Sequence, residues 1–451
     1  MRVDLDLIRK YNVPAPRYTS YPPATHFKPI SEDLILERLD RQQEKPRPLS
    51  LYFHLPFCRA LCWFCGCTNI ITTQQIQSAR YLEYLECEIE MVARRIHPES
   101  QVVQIHLGGG TPTFFLPEEL HALGRIIRKH FKLAANFEGS VEIDPRQLTP
   151  DHVTALRDAG FRRASLGVQD FDPSVQAAIH RIQPYEQTSA TVDWLRAGGF
   201  DSINIDLIYG LPFQKPQSFE NTLDAVLTLQ PDRLAVFNYA HVPWMKPAQT
   251  IFKVLPTPEE KMEILARTVE KLTSHGHVYI GMDHFARTDD ELAVAQRTGT
   301  LQRNFQGYST CGQVDIHAFG MSAISQANGT YWQNHKDLPG YYAALDANTL
   351  PVVKGYVLTE DDLLRRQLIN RLMCDMRLDF SNLRRMLGVE VREYFGKELA
   401  SLDDLAADGL LELRDDGLLV TPLGRLLVRN IAVRFDAYAS GRKSAQFSKA
   451  I

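Results

Sequence analysis

The chain has 451 residues, 44% of them hydrophobic and 23% charged, with a formal net charge of −4. That length supports two or three domains and a large core, and the composition is that of an ordinary globular protein, not a fibrous or disordered one. The slight acidic excess gives no footprint for nucleic acid, and no apolar run approaches the roughly 18 residues needed to span a bilayer, so neither nucleic-acid binding nor membrane insertion is expected.

Residues 1–30 hold five prolines. The run Val13-Pro-Ala-Pro-Arg-Tyr-Thr-Ser-Tyr-Pro-Pro23 can be neither helix nor central strand, because proline lacks a donor and restricts its predecessor. Tyr18, Tyr21 and Phe27 are too apolar for a free tail, so an extended arm lying on the body, over the active site, is expected. Met1-Arg-Val-Asp-Leu-Asp6 is acidic where a signal peptide needs an apolar stretch, which points to a cytoplasmic protein. A short helix near Glu32–Gln43 closes this first unit at about residue 45.

From about residue 46 to 290, short apolar runs alternate with helix-period segments. The strand candidates are Leu49–Leu55, Val102–Leu107, Ser140–Ile143, Arg163–Val168, Ser202–Leu207, Arg233–Tyr239 and Val278–Met282. Leu82, Leu85, Ile89, Val92 and Ile96 share one helical face, and Thr149-Pro150 and Thr257-Pro258 read as N-caps with proline at N1. Regular βα alternation implies a parallel sheet, since parallel strands need crossovers. Six or seven units are too few for a closed eight-fold barrel, so the expected fold class is α/β with an open, partial TIM-like barrel. Ligands in such folds gather at the carboxyl ends of the strands. Residues 291–451 read as a mostly helical C-terminal domain, with helices near Asp361–Cys374 and Val391–Ala407, a hairpin over 410–420 and a capped helix over 421–430.

The chemistry is concentrated in Cys58-Arg-Ala-Leu-Cys62-Trp-Phe-Cys65-Gly-Cys67, which places four of the seven cysteines within ten residues directly after the first strand. A disulfide pair is the weakest reading for a protein kept in a reducing compartment. A structural zinc site usually takes two ligand pairs from separated knuckles. Closely spaced thiolates suit an iron–sulfur cluster better. If Cys58, Cys62 and Cys65 hold three corners of a four-iron cluster, one iron keeps an open position for a small molecule. Cys87, Cys311 and Cys374 are scattered and read as packing residues.

The C-x3-C-x2-C spacing with Phe64 before the third cysteine resembles the radical S-adenosylmethionine (SAM) signature. Tyr52-Phe-His-Leu-Pro-Phe-Cys58 followed by the fourth cysteine, Cys67, narrows the resemblance to the oxygen-independent coproporphyrinogen III oxidases. His106-Leu-Gly-Gly-Gly-Thr-Pro-Thr113, Val141-Glu-Ile-Asp-Pro-Arg146, Ser165–Phe171, Ile205–Pro212, Phe237–His241, Gly281–Ala286, Asn304–Tyr308, Ser322–Ile324 and Gln446-Phe-Ser448 resemble the same family in order along the chain. The resemblance implies a [4Fe-4S] cluster on Cys58, Cys62 and Cys65 and two molecules of SAM. The first would meet Tyr52, Phe64, Gly109, Glu142 and Ile324. The second would meet Gly110, Thr111, Gln169, Arg181, Asp206 and Ala240, with Gln169, Arg181 and Asp206 forming a polar trio around the zwitterion. Tyr52 and Cys67 are the candidate catalytic residues. The implied reaction converts two propionates of coproporphyrinogen III to vinyls in haem biosynthesis, with Arg17 and the basic stretch Arg425–Arg434 as candidate cations for the tetracarboxylate substrate. The implied partners are that substrate and a low-potential donor such as flavodoxin or ferredoxin, and a monomer is expected. Three alternatives stand beside this reading: a radical-SAM-like haem-binding chaperone, another radical SAM enzyme acting on a porphyrin, and a zinc-stabilised structural protein.

Overall fold

The computed structural model describes residues 4–439 except 12 and 313; the stretch Gln446-Phe-Ser448 lies outside the described residues. Its centre is a 13-stranded mixed sheet. Six strands in chain order, β1 (Leu49–Leu55), β2 (Gln101–Gly109), β3 (Lys132–Ile143), β4 (Arg163–Gln169), β5 (Ser202–Tyr209) and β6 (Arg233–Asn238), pair as parallel neighbours. Helices Ile76–Ala93, Pro117–His130, Pro150–Ala159, Tyr185–Ala197 and Pro216–Thr228 are the crossovers between them. Strands buried on both faces read as near-continuous apolar runs, and in β1 six of seven residues are buried, Tyr52 being the exception. Thr149 and Thr257 cap their helices through side-chain oxygens, each with proline next, as the sequence predicts.

The seventh strand candidate differs from expectation. β7 (His277–Gly281) and β8 (His284–Arg287) form a hairpin in which β8 pairs antiparallel with β6 and β7 takes the outer edge. The two-residue link Met282-Asp283 is too short for a crossover, so the chain must turn back. The expected boundary at 290/291 also cuts through the sheet. Past a small hairpin of β9 (Gln302–Asn304) and β10 (Gly307–Ser309), β11 (Asp315–Phe319) adds parallel to β1. β12 (Ile324–Ala327), β13 (Thr330–Asn334) and β14 (Val352–Val357) continue antiparallel, and Lys28–Pro29 of the N-terminal segment pairs with β14. These strands are short and interrupted by turns at Gly320 and Gly329, which masks their period. The result is an open barrel, extended by antiparallel strands on both flanks.

Helix Glu360–Asp375 begins the C-terminal region, followed by a three-stranded sheet that contains the predicted hairpin, Leu411–Arg414 and Gly417–Val420. The stretch 391–407 is three short helices instead of one, interrupted near Phe395 and Ser401. The stretch 421–430 is a 3-10 turn, Gly424–Leu427, leading into helix Val428–Ala432.

The N-terminal arm lies on the body. Ala15, Tyr18 and Tyr21 are buried, and Arg429 donates to the Pro16 carbonyl at 3.2 Å. Each buried tyrosine is worth about 1.5–3 kcal/mol of apolar burial, enough to hold a short segment that has no ladder of its own. Arg17 pairs with Asp283 at 2.9 Å, on the β7–β8 link at the carboxyl end of β6. The arm therefore crosses the mouth of the barrel.

Candidate active site

The cysteine loop leaves the end of β1 and is pinned along its length. Phe57–Cys58 pairs with Ile70–Ile71 in a short parallel ladder, the Trp63 N–H donates to the Ile179 carbonyl at 3.0 Å, and Trp63 stacks on His180. All seven cysteines are free thiols. Cys58 Sγ lies 3.3 Å from Thr111 Oγ1. Asn69 Nδ2 lies 3.5 Å from Cys65 Sγ and 4.0 Å from Cys58 Sγ, so these two sulfurs share one amide. Cys62 Sγ accepts from Arg146 Nη2 and Arg181 Nη1, each at 3.5 Å. Among the described residues no His, Cys, Asp and Glu group of three or more is placed to hold a single metal ion. Three thiols on one pinned loop, with two guanidiniums and an amide aimed at their sulfurs, fit the wider donor set of an iron–sulfur cluster, whose negative charge such donors offset. Cys67 is exposed; its N–H donates to Cys65 Sγ at 3.4 Å, and its carbonyl accepts from Lys246 at 2.8 Å.

The glycine loop closes against the cysteine loop. Gly110 N–H donates to the Leu55 carbonyl and Thr111 N–H to the Phe57 carbonyl, both at 2.9 Å. Gly109 has φ +111°, and a Cβ there would stand 2.6 Å from the His54 ring; a Cβ on Gly110 would stand 2.5 Å from the Pro56 carbonyl carbon. Gly109 N–H donates to Glu142 Oε2 at 3.2 Å, and His106 Nε2 lies 3.4 Å from Glu142 Oε1. Burial alone would raise the Glu142 carboxyl; the His106 hydrogen bond and charge and the Gly109 N–H outweigh it, and the group sits below its ordinary range. Tyr52 stacks on His106 with centroids 5.8 Å apart. His54 Nε2 faces the Thr68 carbonyl at 2.8 Å and so carries the proton, leaving Nδ1 to accept from Tyr52 Oη at 3.1 Å.

Strand register aligns these groups on one concave face. Tyr52 opposes His106, His106 opposes Ser140, Glu142 opposes Ser165, Gly167 opposes Asp206, Asp206 opposes Ala235, and Ala235 opposes His284. Ala318 of β11 opposes Tyr52, and the β11–β12 register puts Ile324 on that face as well. Phe64 packs in a satellite cluster with Val175, Ile179, Leu211 and Tyr239. Ala240 is exposed just past β6.

The expected trio is rearranged. Gln169 and Arg181 flank Gly167, where a Cβ would meet Gln169 Nε2 at 3.0 Å and Arg181 Nη2 at 3.1 Å. Arg181, though, pairs with Asp144 at 3.2 Å and donates to the Gly167 carbonyl at 2.5 Å. Asp206 accepts instead from Ser165 at 2.9 Å and Asn204 at 2.8 Å, and burial pushes its carboxyl up to about 6. Asp144, which also pairs with Arg146 at 2.7 Å, and Arg146 itself are the site residues that sequence reasoning did not assign. The signal was present: Glu142-Ile-Asp-Pro-Arg146 puts both charges just past a strand end.

The hairpin β9–β10 lies across the concave face. Gln306 reaches Ser50 of β1 at 3.4 Å, Gln104 of β2 donates to Ser309 at 3.1 Å, and Tyr308 packs edge-on against His284 at 5.4 Å. One segment thus bridges the first strands of the barrel and its last.

Residues 52–226 match the family model described as the radical SAM superfamily, and residues 358–427 match the HemN C-terminal domain. The chain is 46% identical to the oxygen-independent coproporphyrinogen III oxidase of Synechocystis sp., covering 99% of this chain and 97% of that one. It is 47% identical to the protein of the same name from Salmonella typhimurium, over 99% and 98%. Among solved structures, coproporphyrinogen III oxidase from Escherichia coli superimposes with a TM-score of 0.91 at 45% identity, covering 97% of this chain and 99% of the other.

Proposed function

The chain belongs to the oxygen-independent coproporphyrinogen III oxidases of the radical SAM superfamily, and from that premise we propose how its own residues carry the reaction. It is an oxidoreductase of haem biosynthesis that decarboxylates two propionates of coproporphyrinogen III to vinyls, giving protoporphyrinogen IX without oxygen. A [4Fe-4S] cluster and SAM serve it. When bound, they would supply the one-electron chemistry that oxidises a propionate β-carbon, so that CO2 is lost, a vinyl forms and the remaining electron passes to an external one-electron acceptor.

Cys58, Cys62 and Cys65 would hold the cluster, and Arg146 and Arg181 would brace it through Cys62. The Gly109–Thr111 edge and Glu142 would seat the first SAM, with Tyr52, Phe64 and Ile324 around it. Glu142 is suited to an ammonium group, since it is held ionised and one of its oxygens already anchors the loop beside it. Gly110, Thr111, Gln169, Arg181, Asp206 and Ala240 would seat a second SAM, so that two propionates consume two molecules. The arm and the β9–β10 hairpin would close the barrel and keep water from the reacting carbon. A low-potential flavodoxin or ferredoxin would deliver the electron to a monomeric cytoplasmic protein. Among the described residues no helix is long and apolar enough to cross a membrane.

The observation that carries this reading is the pair of stitched loops, cysteine and glycine, with Glu142 facing the glycine loop on the concave side of the sheet. Anaerobic incubation of reconstituted protein with SAM, reductant and coproporphyrinogen III tests it. The porphyrinogen should lose two CO2, with two 5′-deoxyadenosines formed per product. A porphyrin that binds with all propionates intact would instead favour the chaperone reading.

A further inference from the structure

Across the barrel mouth from the cysteine loop lies a second constellation of charge. Arg303 of β9 is 6% exposed and sits 4.8 Å above the Tyr308 ring. Tyr308 meets His284 edge-on, His284 meets Phe237 at 5.7 Å, and Arg17 lies 5.6 Å above Phe237. The half-buried Arg425 side chain donates to a neutral amide oxygen of Gln296 and has no carboxylate within 4.0 Å among the described residues. Asp283 is the carboxylate at hand, and Arg17 engages it at 2.9 Å. Arg303 has no carboxylate within 4.0 Å among the described residues, and its Nη1 is buried without a hydrogen-bond partner. Its Nε donates to the Arg17 carbonyl.

A buried guanidinium without a counter-charge is costly, so its retention calls for an anion that arrives with a ligand. The cysteine end of the barrel has guanidiniums of its own, Arg146 and Arg181, both already on Asp144 and Cys62. Arg303 is left for a different anion.

The backbone here is strained in a way that serves the same spot. Met282 and Asp283, the whole link between β7 and β8, have φ of +46° and +75°. Non-glycine residues in this region cost on the order of 1 kcal/mol each, and a two-residue link of this kind normally takes Asn-Gly. The strained turn holds Asp283 against Arg17 and places His284 at the mouth. His284 Nδ1 is 2.7 Å from the Met282 carbonyl and donates to it, which leaves Nε2 an acceptor. Burial and the nearby Arg303 push the imidazole down to about 4, so His284 does not add a positive charge of its own.

We infer that Arg303, with Arg17 beside it, receives a propionate carboxylate of the porphyrinogen, while Phe237 and Tyr308 meet the edge of its pyrrole rings. The inference deepens the reading above and rests on it. It makes Arg303 a substrate-binding residue that sets specificity for an ionised side chain.

The test uses the anaerobic, cluster-loaded enzyme. Binding of coproporphyrin III, a stable oxidised stand-in, and of its tetramethyl ester is followed by fluorescence quenching for the wild type, Arg303→Met and Arg303→Lys. Arg303→Met should weaken the tetra-acid about 10- to 100-fold, the range for losing a charge-assisted bidentate contact, and leave the ester unchanged. Arg303→Lys should recover part of the loss. KM for coproporphyrinogen should rise, while cluster absorption and SAM bound per chain stay at wild-type values. Equal binding of the tetra-acid by wild type and Arg303→Met overturns the inference, as does parallel weakening of acid and ester or a loss shared with SAM. If the wild type itself removes no CO2, the family reading fails instead, and the two failures are distinct.

Discussion

Arg181 Nη1 lies 3.2 Å from Asp144 Oδ2 and 3.5 Å from Cys62 Sγ, so one guanidinium ties the carboxyl end of β3 to the cysteine loop. Both partners are buried, and burial of one charge without the other is strongly unfavourable. Arg181 is therefore a brace, and the proposed reading gives it a second role as a ligand for a second SAM; the two can be separated. Asp144→Asn should destabilise the fold by about 3 kcal/mol and leave SAM stoichiometry at two. Arg181→Ala should destabilise similarly and lower the stoichiometry to one. Equilibrium dialysis with labelled SAM reads the difference; two molecules bound to Arg181→Ala would move the second site elsewhere.

The glycine loop offers a purely steric test. In Gly109→Ala the new methyl would stand 2.6 Å from the His54 ring, at a φ of +111° that L-residues avoid. Either the ring or the loop must move, and the loop carries the N–H that holds Glu142. SAM affinity should fall at least about tenfold, since a contact to a charged group is worth roughly 1.5–3 kcal/mol. The cluster should remain, because no thiol changes. Calorimetric titration with SAM checks it, and wild-type affinity would remove the loop from the SAM site.

The order of the parallel strands was legible in the sequence. β1 is a mostly apolar run broken only by Ser50 and His54, and Thr149-Pro150 and Thr257-Pro258 announce their helices by local chemistry alone. The cysteine loop, the glycine loop and Glu142 are contiguous motifs, and the structure brings them together; their roles toward a cluster and SAM are part of the proposal. What a sequence does not show is which residues meet across the fold. Arg181 and Asp144 are 37 residues apart, and only the approach of the loop after β4 to the end of β3 decides that Arg181 takes Asp144 instead of Asp206. β11–β14 were missed because strands of four to six residues broken by glycine turns carry too little period. Nothing in the local sequence around Arg303 marks it as buried; the inward fold of the β9–β10 hairpin does that.

Cys67 separates ligand from helper. Its N–H donates to Cys65 Sγ and its own thiol hydrogen-bonds the same side chain; in the proposed ligand set of Cys58, Cys62 and Cys65 its sulfur would not be a cluster ligand. Cys67→Ser should keep the cluster's visible absorption and lower turnover. Cys62→Ser should lose the absorption altogether, together with the thiolate that Arg146 and Arg181 face. Bleaching of Cys67→Ser would mean that the ligand set is wrongly assigned.

Glu88 sets a pH dependence far from the chemistry. It lies on the crossover helix Ile76–Ala93, is 3% exposed, and accepts from Gly320 N–H at 2.7 Å, Asn334 at 2.6 Å and Tyr341 at 2.7 Å. Burial outweighs these three donors and pushes its carboxyl from 4.5 up to about 7. A carboxyl raised on folding binds more protons in the native state than in the unfolded one between those two values. Its contribution to stability is therefore full below about pH 4.5 and is lost as pH rises toward 7. A shift of this size corresponds to about 3 kcal/mol across the window. Glu88→Gln removes the titration and forfeits one acceptor, an offset that does not vary with pH. The variant should therefore be the less stable protein at pH 5 and should gain on the wild type by up to about 3 kcal/mol by pH 8. Denaturant melts of both proteins at the two values measure the change, and parallel pH profiles would show that Glu88 stays ionised in the fold.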